Sequence, residues 1–188
     1  MSDEIPSNLG PFVDELNALQ LEARTSDEAI SLVKPIVERW THNPDWLDPS
    51  YRKALTDEDD HVIYIGPDGH LMILIVTWKA NQTSVIHDHN TWAVIGVIQG
   101  VEKNQLWQRV DDCSNPNTAE LIPGRTVTLH PHDVIAMEPD AIHCVSSCDP
   151  SGIDAVSFHI YGRDLRNTGR HKYDHKTHKV EPMLNLDT

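Results

Sequence analysis

Up to about residue 40 the apolar positions recur every three or four residues; beyond residue 60 they alternate. Phe12, Leu16, Leu19 and Ala23 form one helical stripe, and Ala29, Leu32, Val33, Ile36, Val37 and Trp40 a second, so helix is predicted across 9–41. Thr25-Ser26-Asp27-Glu28 has the pattern in which a Thr and the Glu three residues later cap each other's backbone amides, which places the second helix start there. Pro35 lies inside this helix and is expected to kink it or delay its start. Two prolines and an asparagine make 41–49 a linker.

The alternating part consists of short β-rich runs broken by turn residues. Runs 61–65 and 71–78 flank Gly66-Pro67-Asp68-Gly69, a hairpin signal. Further runs are predicted at 84–89, 92–99, 103–110, 118–122, 125–130, 134–137, 141–146 and 153–161. Strands separated by turns with no helix between them predict a mainly β protein, a closed barrel or jelly roll behind N-terminal helices. The expected organisation is one structural domain: a helical segment 1–49, a barrel 50–173 and a C-terminal tail 174–188, whose last dozen residues are expected to be mobile.

Charge narrows the partners. Fifteen Lys and Arg against 29 Asp and Glu give a net charge of −14 over 188 residues, which repels phosphate backbones and anionic lipid. Neither nucleic acid nor membrane is expected as a partner, and the acidic N-terminus does not read as a secretory signal. Three cysteines, an odd set, point to a reducing, cytoplasmic setting. A monomer or homodimer is expected. Twelve histidines are the compositional outlier and direct attention to metal chemistry.

The sharpest local feature is His87-Asp88-His89. On a strand the two imidazoles share a face while Asp88 points away, so both can reach one ion, and His143 is the best third ligand. Three imidazoles suit Fe, Cu, Ni or Zn. With no carboxylate ligand, a divalent ion keeps its full charge and favours an anionic substrate, above all a thiolate. The second pair, His130-Pro131-His132, is split by a proline and reads as turn or rim. His171, His175 and His178 read as solvated surface. Ser157, His159 and Tyr161 fall on one strand face and form a hydroxyl–imidazole–phenol row able to relay a proton.

The segments containing His87 and His89 (HDHNTWAVIGVIQG) and His143 (PDAIHCV) resemble the two motifs of the cupin family. With SFHIY added, the chain looks like a cupin-type thiol dioxygenase, the group of cysteine dioxygenase and bacterial 3-mercaptopropionate dioxygenase, over about 51–173. The resemblance implies Fe(II) on His87, His89 and His143, O2 as co-substrate, and an outer network of Ser157, His159 and Tyr161. It implies a small thiol carboxylate as substrate, bound by Arg170, with Lys53 and Arg52 as weaker candidates and Arg163 and Arg166 ranked lower. The substrate closest to this reading is 3-mercaptopropionate. Cysteine or mercaptosuccinate, a zinc hydrolase, and a non-catalytic metal-binding cupin that serves as a ligand-binding module stay open as alternatives. Animal cysteine dioxygenases carry a cysteine that cross-links the site tyrosine; this chain has Trp92, Ala93 and Val94 there, so Tyr161 has no such partner. Cys144 is expected to pack away from the metal.

Overall fold

The computed structural model describes residues 8–183 and Leu186. The helices are α1 (Gly10–Asn17) and α2 (Ser26–Thr41). Eleven strands follow among the described residues: β1 (Glu58–Ile65), β2 (His70–Trp78), β3 (Ile86–His87), β4 (Ala93–Gln99), β5 (Glu102–Arg109), β6 (Leu121–Leu129), β7 (Val134–Met137), β8 (Ile142–Ser147), β9 (Ala155–Arg163), β10 (His171–Asp174) and β11 (Lys179–Pro182). They build two sheets, ordered β1-β2-β9-β4-β7 and β11-β10-β3-β8-β5-β6. The pairings within both are antiparallel. The mainly β fold with N-terminal helices expected from the sequence is the fold observed. No helix among the described residues is long and apolar enough to cross a membrane.

The five-stranded sheet is apolar on both faces, and the pleat of β2 shows why. Met72, Leu74, Val76 and Trp78 turn into the barrel with Ile95, Val97 and Val145. Ile73 and Ile75 turn outward and join Phe12, Leu16, Val33, Val37 and Phe158 beneath the helices. Phe158 is fully buried there, its ring 4.7 Å from those of Phe12 and Trp46. Truncating such a side chain to Ala costs about 3–5 kcal/mol. Gly96 lets α2 come close, since a Cβ there would lie 2.4 Å from Thr41 Cγ2 and 2.9 Å from Val37 Cγ1.

The reciprocal Thr25–Glu28 cap forms as expected. Pro35 does not interrupt α2, which runs unbroken through it with Val33, Ile36 and Val37 buried on its inner face. Packing of that face outweighs the amide hydrogen bond that proline forfeits. The predicted runs 118–122 and 125–130 merge into β6. Pro123 is tolerated because β6 is an outer strand of its sheet, where a missing donor faces no neighbour. The expected mobility of the last dozen residues is corrected in part. Val180 is buried and β11 pairs with β10, which pairs in turn with β3, so this stretch is bound by a ladder. The rest of that expectation, at 184, 185, 187 and 188, lies outside the described residues.

Candidate metal centre

Residues 84–89 were expected to form one strand, but the strand here is only Ile86–His87; Asp88 and His89 lie beyond its end, before a left-handed Asn90 (φ 51°). The rings converge nonetheless. One nitrogen from each of His87, His89 and His143 lies within 4.8 Å of the others, and ring centroids are 4.6–5.0 Å apart. His87 and His143 are direct register partners across β3 and β8.

Two of the rings are oriented from behind. His87 Nδ1–H donates to the Val85 carbonyl at 3.0 Å, and His143 Nδ1–H donates to Asn104 Oδ1 at 3.0 Å. That leaves both Nε2 lone pairs turned inward. His143 Nε2 and His89 Nδ1 are buried without a hydrogen-bond partner among the described residues. Orphaned imidazole lone pairs are costly unless something binds them, and three ring nitrogens converging on one spot, two of them orphaned, fit a metal ion. Burial holds the rings neutral: His87 is lowered to about 4, and His89 and His143 fall well below the ordinary value, assisted by their mutual proximity. Neutral imidazole is the form that ligates.

The centre faces a cavity of about 210 Å³. Its walls include His159, Tyr161 and Arg170, and also Glu58 and Asp60 from β1. Ser157 Oγ lies 2.7 Å from His159 Nε2, and His159 Nδ1 lies 2.8 Å from Tyr161 Oη, so the row predicted from strand alternation is a continuous hydrogen-bonded chain. The Tyr161 ring meets the His89 ring edge-on at 4.9 Å. Burial pushes the phenol well above its ordinary value, so it stays protonated. Ala93, where a cross-linking cysteine would stand, is the register partner of Tyr161.

Of the cationic candidates, the structure brings one to the cavity. Arg170 is 5% exposed and lines it. Arg52 and Lys53 do not, which corrects their assignment: Arg52 Nη1 donates to Gln99 Oε1 at 3.3 Å, and Lys53 is exposed. They lie at the end of a short helical turn (Pro49–Arg52) whose Tyr51 carbonyl is bound by Thr77, on the outer side of the sheet. Arg166 forms a fork to Asp164, and Arg163 is exposed. Cys144 packs with Ile142 and Trp107 in a small separate core, away from the three rings.

Sequence reasoning missed Asn104, Asp88, Glu58, Asp60 and Glu102. The alternation of β5 carried a usable signal: Glu102 and Asn104 share its buried face, on either side of exposed Lys103. His171, read as solvated surface, is half-exposed and bonded to Asp88 instead.

No family model matches the sequence. Solved structures similar to it include KdgF from Halomonas sp. (16% identical, TM-score 0.44, covering 60% of this chain and 86% of that one). Others are an uncharacterised protein with a double-stranded β-helix domain from Klebsiella pneumoniae (13%, TM-score 0.49, 64% and 83%) and a cupin superfamily protein from Desulfitobacterium hafniense (10%, TM-score 0.43, 65% and 88%). At these identities no chemistry passes from them to this chain.

Proposed function

We propose that this protein is an Fe(II)-dependent thiol dioxygenase that converts a small thiol carboxylate and O2 to the sulfinate. The observation that carries the reading is the buried trio of neutral imidazoles with no carboxylate in the group, set beside a hydrogen-bonded Ser157–His159–Tyr161 row and Arg170. His87, His89 and His143 would hold the iron, which supplies the redox chemistry that joins both oxygen atoms to sulfur. Retaining its full double charge, the site lowers the cost of the thiolate form.

The remaining work falls to the protein. Arg170 offers a planar fork that pairs with the substrate carboxylate and fixes the sulfur in place. Tyr161 holds a proton at Oη and donates it as a hydrogen bond into the cavity, where negative charge develops. The apolar walls, Leu74, Val76 and Val145, exclude water around that charge. Glu58 and Asp60 line the same cavity, and an amino thiol acid such as cysteine is the second substrate within the class. The test is O2 uptake by the Fe(II)-loaded protein with 3-mercaptopropionate, cysteine, mercaptosuccinate and an uncharged thiol, with sulfinates identified by mass. Uptake with a carboxylate-bearing thiol and a mass gain of two oxygens is expected. No uptake with any thiol would overturn the reading in favour of a metal-binding ligand module.

A further inference from the structure

Buried on β5, outside the lining of the cavity, stands a carboxyl group that the proposed chemistry does not use. Glu102 has no exposed surface. It enters from the inner face of β5, beside Ser147 on β8 and Leu129 on β6 in register. Neither carboxyl oxygen has a hydrogen bond of ordinary geometry among the described residues. The hydroxyl that acts on this carboxyl is that of Ser157, on β9. Ser157 is the inner end of the row that leads through His159 to Tyr161 and the metal cavity.

We propose that Glu102 is the fourth member of this row and a positioning residue: its protonation state sets the direction of every hydrogen bond in the chain and so decides whether Tyr161 offers a donor or an acceptor to the cavity. The inference rests on the dioxygenase reading only for its catalytic consequence.

The number of protons available fixes the direction of each bond. A hydroxyl has one proton to give and lone pairs to accept, and a neutral imidazole has one of each. His159 stays neutral through the working range, because burial lowers it to about 3. If Glu102 is protonated, its O–H donates to Ser157 Oγ and the Ser157 O–H donates to His159 Nε2. His159 Nδ1–H then donates to Tyr161 Oη, and the phenol O–H is left for the cavity. If Glu102 is ionised, Ser157 donates to the carboxylate, His159 Nε2–H donates to Ser157, and Tyr161 must donate to His159 Nδ1. The phenol then shows the cavity only lone pairs.

The groups around Glu102 make the first arrangement the resting one. Burial raises its carboxyl to about 7, and only Ser157 opposes this. The titratable group that feels its charge is Tyr161 on β9; Ser147 and Leu129 on the flanking strands and Asn104 on its own carry no charge. Its negative form is also felt at Tyr161, whose proton it holds more tightly.

The experiment is 15N NMR of the metal-free, histidine-labelled protein, with His159 assigned by comparison with His159→Asn. The Nδ1 and Nε2 resonances of a neutral imidazole are well separated and report which nitrogen carries the proton. In the wild type the two His159 resonances should exchange places across a midpoint near 7. In Glu102→Gln, whose amide N–H donates at every pH, they should hold the Nδ1–H pattern throughout. In the iron-loaded protein, wild-type kcat should then fall about tenfold per pH unit above the midpoint while Glu102→Gln loses that limb. A His159 tautomer that is independent of pH in the wild type overturns the proposal and needs no variant to fold. Because that measurement uses neither iron nor thiol, it stands or falls separately from the dioxygenase reading.

Discussion

The chain contains two His-x-His pairs, and they have opposite fates. His87 and His89 are buried, neutral and joined by His143. His130 and His132 have the same spacing but lie exposed in the turn between β6 and β7. There His132 adopts a left-handed backbone (φ 81°), donates Nδ1–H to the Thr41 carbonyl at 2.7 Å and stacks on His42. The difference lies in the middle residue. Asp88 is buried and accepts from Tyr173 Oη and from the His171 amide at 2.7 Å. It therefore fastens β10 onto β3 and seals the back of the imidazole pair. Pro131 has no N–H to donate, so the chain turns to solvent there. Spacing brings two rings to one face; what lies behind them decides whether they become a site.

The largest effect expected from this contrast is on metal content. His143→Ala should abolish stoichiometric metal binding, measured by elemental analysis after dialysis, whereas His132→Ala should load fully. Equal loading of both variants would remove the distinction between the pairs.

The pH dependence of the metal-free fold comes next. His87, His89, His143 and His159 all titrate lower in the folded state than when unfolded. Below about 6.5 the unfolded chain therefore takes up protons that the folded chain refuses, and stability falls as pH falls from there toward about 4. Glu102, raised to about 7, has the opposite sign: its contribution is present below its unfolded value and fades as pH rises through about 7. Four histidines against one carboxyl leave the net direction set by the histidines. Urea midpoints should decline over this window in the metal-free protein, and bound metal should blunt the decline because it competes with the protons.

Much of this contrast was legible beforehand, for physical reasons that differ from residue to residue. The period of two placed Ser157, His159 and Tyr161 on one face, and the proline singled out the pair that would turn away. Long-range contacts were not legible. Asn104 reaches His143 across 39 positions, and Asp88 holds His171 across 83, and no local pattern encodes either pairing. Lys53 and Arg52 failed for the same reason: a cation's sequence neighbourhood does not reveal on which side of a sheet it ends, while Arg170 reaches the cavity because β10 carries the chain back over β3.

Asn104 sharpens the comparison at intermediate scale, because it does for His143 what the Thr41 carbonyl does for His132. Replacing it with Leu frees the His143 ring to rotate and to swap tautomers. Metal affinity should weaken by about 10–100-fold, read by competition with a chromophoric chelator, with little change in the fold. Affinity unchanged in Asn104→Leu would mean that packing alone orients the ring.

The smallest effect belongs to the pair that lost. His132→Ala removes one hydrogen bond to the C-terminal end of α2 and one ring stack, both at the surface. Such a bond is worth about 0.5–1.5 kcal/mol net, and the imidazole that makes it is itself exposed. A small drop in the urea midpoint with unaltered metal content is expected. The same truncation at His143 deletes a lone pair that nothing else in the barrel can supply. A loss of metal in His132→Ala would show that the helix-to-turn contact shapes the centre from the other side of the sheet, and the two pairs would then have to be read as one system.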